Sequence, residues 1–181
     1  LETIKDEVGN VVIKKPASPG MENRKKVILQ SHLDMVHQKN GDTIFDFDKE
    51  GIKMRVQGDW IDAEGTTLGA DNGIGVATIM ATLSSNDIEH PPIEALFTID
   101  EETGMTGAMG LEAGLLEGEI LLNLDTEEDD EIDMGCAGGV DRCIARTGKM
   151  NSSSGICVLL PKLFIGSTTK AQRFFGALWH L

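Results

Sequence analysis

Three consecutive carboxylates, Asp100, Glu101 and Glu102, directly follow an apolar stretch at residues 93–99 that is typical of a buried strand. Neighbouring carboxylates repel one another, and close to a protein core this repulsion raises their pKa values unless a positive charge lies among them. A bound cation would supply that charge. The alternative is that the acids begin a solvated loop, which is the better interpretation of an isolated acidic triplet. Other potential ligands along the chain decide between the two.

Such ligands do occur, and each lies at the end of a predicted strand or at the start of a predicted helix. They are His32 and Asp34 after the strand at residues 27–30, Asp71 before a helix, and Asp125 at the end of the strand at residues 118–125. Strand ends in an open α/β sheet meet at one crevice, so we expect these side chains to converge with the acidic triplet. Imidazole nitrogens and carboxylate oxygens are ligands suited to zinc, manganese or cobalt.

The elements that must position these residues follow from the spacing of apolar side chains. Strands are predicted at residues 10–15, 27–30, 93–99 and 118–125, a strand–turn–strand unit at 54–63, and helices from Asp71 or Asn72 to about residue 83 and within 106–116. Strands that alternate with helices predict an α/β fold with a mixed, mostly parallel sheet.

Each motif also has a simpler explanation. The segment SHLD at residues 31–34 is weak by itself, although Asp34 strengthens it because a metal-bound His usually donates its second N–H to a carboxylate. The segment GTTLGADNGIG is more specific, but a plain helix cap explains Asp71 equally well, and taken alone the two interpretations balance. His37 and His90 lie in polar loops, and we expect both at the surface.

Composition excludes several classes of partner. The chain has 181 residues, 40% hydrophobic and 25% charged, and no apolar run long enough to cross a bilayer, so we expect a cytoplasmic globular protein. Its formal charge of -14 disfavours nucleic acid and anionic membranes as partners. The three cysteines lack the spacing of a disulfide framework or a thiolate zinc site. The acidic run at residues 125–133 does not fit an EF-hand, because Asp130 stands where a glycine is needed.

Charge is distributed unevenly along the chain. All 30 acids lie within residues 1–141, which carry a formal charge of -20, whereas residues 142–181 carry +6. The second part has apolar clusters without a sustained period. We therefore predict one domain over residues 1–141 and a poorly packed or disordered tail over 142–181.

Five segments in order, VILQSHLDMVHQKN, GTTLGADNGIG, FTIDEETGMTGA, LLNLDTEE and MGCAGG, resemble the aminoacyl-histidine dipeptidases (Xaa-His dipeptidases) of the M20 metallopeptidase family. The similarity covers roughly residues 8–141. It implies a three-layer, zinc-peptidase-like (phosphorylase/hydrolase-like) catalytic domain and metal-dependent hydrolysis of dipeptides with a C-terminal His.

The resemblance implies a site with two divalent ions, zinc being the first choice and manganese or cobalt the alternatives. By motif, His32 and Asp125 would bind one ion and Glu102 the other, and Asp71 would bridge the two. The two ions would also neutralise the clustered acids.

Two further roles and one backbone feature are implied in the same way. Asp34 would orient His32, and Glu101 would be the general base, whereas Asp100 has no role by the motif. In relatives the bond corresponding to Asp71–Asn72 is often a cis peptide, so an unusual backbone is expected there.

The chain departs from the family after residue 141. Family members have an inserted lid domain that forms a homodimer interface, and a distal metal-binding His, whereas residues 142–181 match neither and His180 lacks the ligand's context. We therefore expect a partial chain with an incomplete fold, no lid, a tail that a frameshift would explain, and no family-type dimer. It would bind one ion tightly and a second weakly. Two functions remain open, a dipeptidase and a non-catalytic metal-binding module without turnover.

Overall fold

The computed structural model describes residues 1–126 and residue 132, and the fold below refers to these residues. The elements, in chain order, are β1 (Glu2–Lys5), β2 (Val11–Lys15), β3 (Val27–His32), β4 (Met54–Gln57), β5 (Trp60–Ala63), α1 (Ala70–Ser84), β6 (Ile93–Thr98), α2 (Glu101–Gly104), α3 (Thr106–Met109) and β7 (Ile120–Asn123). The domain boundary predicted at residue 141 and the predicted tail lie outside the described residues. None of the described helices has the length and apolarity needed to cross a membrane.

The main sheet has five strands in the order β1-β2-β6-β3-β7. Strand β3 pairs in parallel with both β6 and β7, whereas β2 pairs antiparallel with β1 and β6. The predicted α/β fold with a mixed sheet is confirmed, and among the described strands parallel pairing occurs between β3 and its two neighbours, β6 and β7. Because His32 lies opposite Thr98, and Gln30 opposite Asn123, the carboxyl ends of these three strands reach the same edge.

Strand β6 forms the centre of the core, since all of its residues are buried. Helix α1 packs Ile79 and Leu83 against Ala95 and Phe97 of this strand. Burial of each large aliphatic side chain contributes about 2 kcal/mol. These contacts fix helix α1 on the sheet, and with it the loop that precedes the helix.

The start of helix α1 differs from the prediction. The residue before the helix is Gly69, which has a left-handed backbone, and no side chain caps the first turn. Asp71 and Asn72 have non-helical backbone angles within the first turn. The interpretation of Asp71 or Asn72 as a plain cap is therefore wrong. The Asp71 carboxylate lies against His32, and the Asn72 amide bonds to Ser31 and Leu124.

Two further expectations were wrong. The helix predicted within residues 106–116 ends at Met109, since the glycines that follow weaken a helix and Gly114 adopts a left-handed backbone with φ 85°. His90 is buried rather than exposed, because its backbone N–H and C=O both bond to Ser18 and its Nδ1 lies 2.8 Å from the carbonyl oxygen of Pro91. His37 is exposed, as predicted.

At the edge of the sheet opposite to the carboxyl ends, β6 carries a buried carboxylate. Glu94 is 1% exposed, and one of its oxygens accepts the backbone N–H groups of Glu117 and Gly118 at 2.8 and 2.9 Å. Its other oxygen lies 3.7 Å from Lys14 Nζ and 3.5 Å from Lys26 Nζ. This carboxylate joins β2 to the residue before β3 and to the segment before β7.

Replacement of Glu94 by Ala should lower the free energy of unfolding by about 3 kcal/mol, because two backbone N–H groups would lose their acceptor and two lysines would lose a buried ion-pair partner. Urea denaturation of the full chain measures this. The control is Glu119→Ala, which removes an exposed ion pair with Lys25 and should leave stability close to that of the wild type. Equal effects of the two substitutions would contradict the structural role assigned to Glu94.

Candidate metal centre

The imidazole of His32 lies at the end of β3 and is almost completely buried, with 1% of its side chain exposed. Its Nε2 lies 2.9 Å from Asp71 Oδ1, 3.7 Å from Asp125 Oδ1 and 4.0 Å from Glu101 Oε2. One ring nitrogen thus faces three carboxylates that come from the start of α1, the end of β7 and the end of β6. The parallel pairing of β6, β3 and β7 produces this convergence.

The other ring nitrogen orients the imidazole. His32 Nδ1 lies 2.9 Å from the backbone carbonyl oxygen of Asp34 and 3.5 Å from the Asp34 carboxylate. A carbonyl oxygen only accepts, so Nδ1 carries a proton and the lone pair of a neutral imidazole lies on Nε2. Asp34 therefore does face His32 as the sequence suggests, but its carbonyl oxygen is the closer partner.

The Asp34 carboxylate has a second set of partners that sequence reasoning missed. One oxygen accepts the backbone N–H of Glu101 and the other accepts that of Glu102, both at 3.1 Å. Asp34 thereby connects the end of β3 to the acidic segment after β6. No local sequence signal indicates these bonds, which link residues 67 and 68 positions apart.

The structure brings together all four side chains predicted to bind metal. Ligand atoms of His32, Asp71 and Glu102 all lie within 4.8 Å of one another, and Asp125 lies beside His32. In the described part of the chain, no Lys or Arg forms an ion pair with any of these carboxylates. An imidazole with several unpaired carboxylates is a donor set that suits a divalent ion accepting nitrogen and oxygen ligands.

Burial and the crowding of like charges both shift the pKa values of this group. Burial raises the pKa of Glu101 and of Asp125, and neighbouring carboxylates raise both further. His32 opposes both shifts, and the hydrogen bond from Asn72 also opposes that of Asp125. For His32, burial lowers the pKa, but the hydrogen bond to Asp71 and the charge of Asp125 outweigh it, so that the pKa is raised. A divalent cation would relieve the same repulsion.

Asp100 does not join the ligand group, as expected from the motif. Its backbone is left-handed with φ 54°, and its carboxylate accepts hydroxyl hydrogen bonds from Thr103 and Thr106. It thus links the two short helices α2 and α3. Of the three consecutive acids, one holds the loop and two face the centre.

The peptide bond between Asp71 and Asn72 is cis, as the resemblance implied. Asp71 is largely exposed, whereas Asn72 is 3% exposed and its amide lies against Asp125. Sequence reasoning considered Asn72 only as a helix cap and did not assign it to the centre.

The model of the peptidase family M20/M25/M40 matches residues 28–153. The chain belongs to this family. It is 56% identical over 137 residues to a cytosol non-specific dipeptidase from Escherichia coli, a match that covers 76% of this chain and 28% of that protein. The family predicted from the motifs is thereby confirmed.

Solved structures of related peptidases have the same fold. A structure of aminoacylhistidine dipeptidase from Vibrio alginolyticus is 61% identical, with a TM-score of 0.74, over 76% of this M20-family chain and 28% of that protein. An aminopeptidase PepT from Bacillus cereus is 26% identical, with a TM-score of 0.56, over 70% and 34% of the two chains. This M20-family chain thus spans 28% of the length of the two dipeptidases it resembles. The residue roles remain predictions.

The Asp34 contacts predict a pH-dependent contribution to stability. Burial raises the pKa of Asp34, but the N–H groups of Glu101 and Glu102 and the nearby His32 outweigh it, so that the pKa is lowered. The contribution of the ionised Asp34 carboxylate to the free energy of unfolding is therefore fully present above the pKa of the unfolded state. It is lost as the pH falls through the lower pKa of the folded state. Asp34→Asn should lower the free energy of unfolding by about 2 kcal/mol near neutral pH and by much less in acid.

Urea denaturation at several pH values checks this expectation. Asp42→Asn is the control, since Asp42 is exposed and its side chain makes no hydrogen bond or ion pair within residues 1–126. A difference between wild type and Asp34→Asn that stays constant from neutral pH into acid would exclude the carboxylate as the source of the effect.

Proposed function

We propose that the chain is part of the catalytic domain of a metal-dependent dipeptidase. The observation that carries the proposal is the group of His32, Asp71 and Glu102 ligand atoms within 4.8 Å, in a chain of a peptidase family. The carboxylate of Glu101 lies beside this group and is bonded to no other side chain in the described residues. A site of this kind combines metal ligands with a free base.

We propose that these residues hold two divalent ions, with zinc the first choice and manganese or cobalt the alternatives. His32, Asp71 and Asp125 would hold one ion, and Glu102 and the shared Asp71 the other. When bound, such ions polarise a peptide carbonyl and increase the acidity of water. Asp34 supports both parts of the site, since it orients His32 and holds the backbone of Glu101 and Glu102.

Glu101 would transfer the proton. As the water oxygen bonds to the carbonyl carbon, the Glu101 carboxylate accepts a water proton and then donates it to the amide nitrogen while the carbon–nitrogen bond breaks. The partial burial that raises the pKa of Glu101 suits this role, because a group accepts and then donates a proton most efficiently when its pKa lies near the working pH.

Dipeptides with a C-terminal His are the proposed substrates, as in the aminoacylhistidine dipeptidase, and the cytoplasm is the proposed compartment. The other relative is named a non-specific dipeptidase, so a broader range of dipeptide substrates is the first alternative to test. The second candidate function is a metal-binding module without turnover, for which the ligand group of His32, Asp71 and Glu102 would suffice.

Hydrolysis is tested with the full chain and carnosine, in added zinc or manganese, by measuring release of histidine. Other dipeptides without His test the specificity. Glu101→Gln should lower the rate about 100- to 10,000-fold while metal still binds. Unchanged hydrolysis by Glu101→Gln would refute the proposed base, and metal binding without hydrolysis in the wild type would favour the non-catalytic module.

Metal binding is tested separately by titration calorimetry. Three protein ligands should hold one ion tightly, whereas Glu102 and the shared Asp71 should hold the second more weakly. His32→Ala should remove the tight site. His37→Ala, in an exposed ring stacked on Phe47, should change neither site. Two sites of equal affinity, or a tight site that survives His32→Ala, would refute the ligand assignment.

A further inference from the structure

A single buried side-chain amide lies behind the candidate metal ligands. Asn72 Nδ2 donates one hydrogen bond to the carbonyl oxygen of Leu124, at 3.0 Å, and another to Asp125 Oδ1. Asn72 Oδ1 accepts the hydroxyl of Ser31 at 2.6 Å. Both N–H groups and the carbonyl oxygen of the amide are thus used, although Asn72 and Ser31 are 3% and 0% exposed.

The partners of this amide are chain neighbours of proposed ligands. Ser31 directly precedes His32, Leu124 directly precedes Asp125, and Asn72 itself directly follows Asp71. One amide therefore ties together the end of β3, the first turn of α1 and the end of β7. We call Ser31, Asn72 and the Leu124 carbonyl the amide cluster.

A glycine of helix α1 makes room for the amide cluster. A Cβ atom at Gly75 would lie 2.0 Å from Asn72 Oδ1, 2.1 Å from Ser31 Oγ and 2.6 Å from the Leu124 carbonyl oxygen. All three distances are far shorter than a van der Waals contact. At Gly73, one half-turn earlier, an added Cβ would meet nothing within 4 Å. An alanine at position 75 would therefore collide with the amide cluster, whereas an alanine at position 73 would not.

We infer that Asn72 is a positioning residue for the metal centre of the proposed function. Its N–H donates to Oδ1 of Asp125, the same oxygen that lies 3.7 Å from His32 Nε2, and its other bonds fix the segment before Asp125 relative to the end of β3 and the start of α1. Ligands that are already held in place lose less conformational freedom when an ion binds. Loss of such outer contacts lowers metal affinity by about 10- to 100-fold.

The inference rests on the proposed function and is tested by calorimetric titration of the full chain with zinc. Asn72→Leu keeps the size of the side chain without its polar atoms and should weaken the tight site about 10- to 100-fold. Gly75→Ala should weaken it to a similar extent, because the added methyl displaces the amide cluster. Gly73→Ala is the matched control, since both substitutions raise helix propensity to the same extent. It should bind zinc like the wild type, because its added methyl contacts nothing.

The titrations are carried out at a temperature at which circular dichroism shows that each variant is folded. A loss of stability by itself then leaves the measured zinc affinity unchanged. If Asn72→Leu does not fold, the comparison of Gly75→Ala with Gly73→Ala tests the inference. If Gly75→Ala does not fold either, the test is Ser31→Ala, which removes only one oxygen atom. Wild-type affinity in the folded deciding variant overturns the inference. The proposed function fails instead if wild-type binding is not reduced by His32→Ala.

Discussion

Repulsion between carboxylates is the constraint on which the arrangement of this chain depends. Four acidic side chains surround one buried imidazole where three parallel strands end. Two like charges 4 Å apart repel by about 4 kcal/mol at an effective dielectric constant of 20. The fold must hold these groups together against that repulsion, so hydrogen bonds from neighbouring residues must keep the ligands in position.

Two such sets of contacts lie on different sides of the centre. On one side the Asp34 carboxylate accepts two backbone N–H groups and holds the segment after β6. On the other side the Asn72 amide joins the ends of β3 and β7. Both sets rely on the packing of β6 and α1, because Ile79, Leu83, Ala95 and Phe97 fix the helix against the sheet.

The same strand carries a buried carboxylate at its other end, and the contrast is informative. Glu94 has two lysines and two backbone N–H groups as partners, so its charge is compensated within the protein. The carboxylates near His32 have no such lysines in the described residues. The sheet thus neutralises Glu94 with lysines but leaves the carboxylates near His32 without a positive partner among the described residues. A bound cation beside His32 would supply that charge, as expected for a metallopeptidase of this family.

Local sequence determined most of the strands, helix α1 and the polar residues that follow the strands of the site. Apolar periodicity located β2, β3, β6, β7 and α1, and the motifs identified the family and the side chains that converge around His32. Tertiary structure alone decided the burial of His90 and the hydrogen bonds made by the side chains of Asp34 and Asn72. The bonds of these last two residues join positions 41 to 68 apart in the chain. A short window of sequence holds only one partner of each, and the other is chosen by strand order and register.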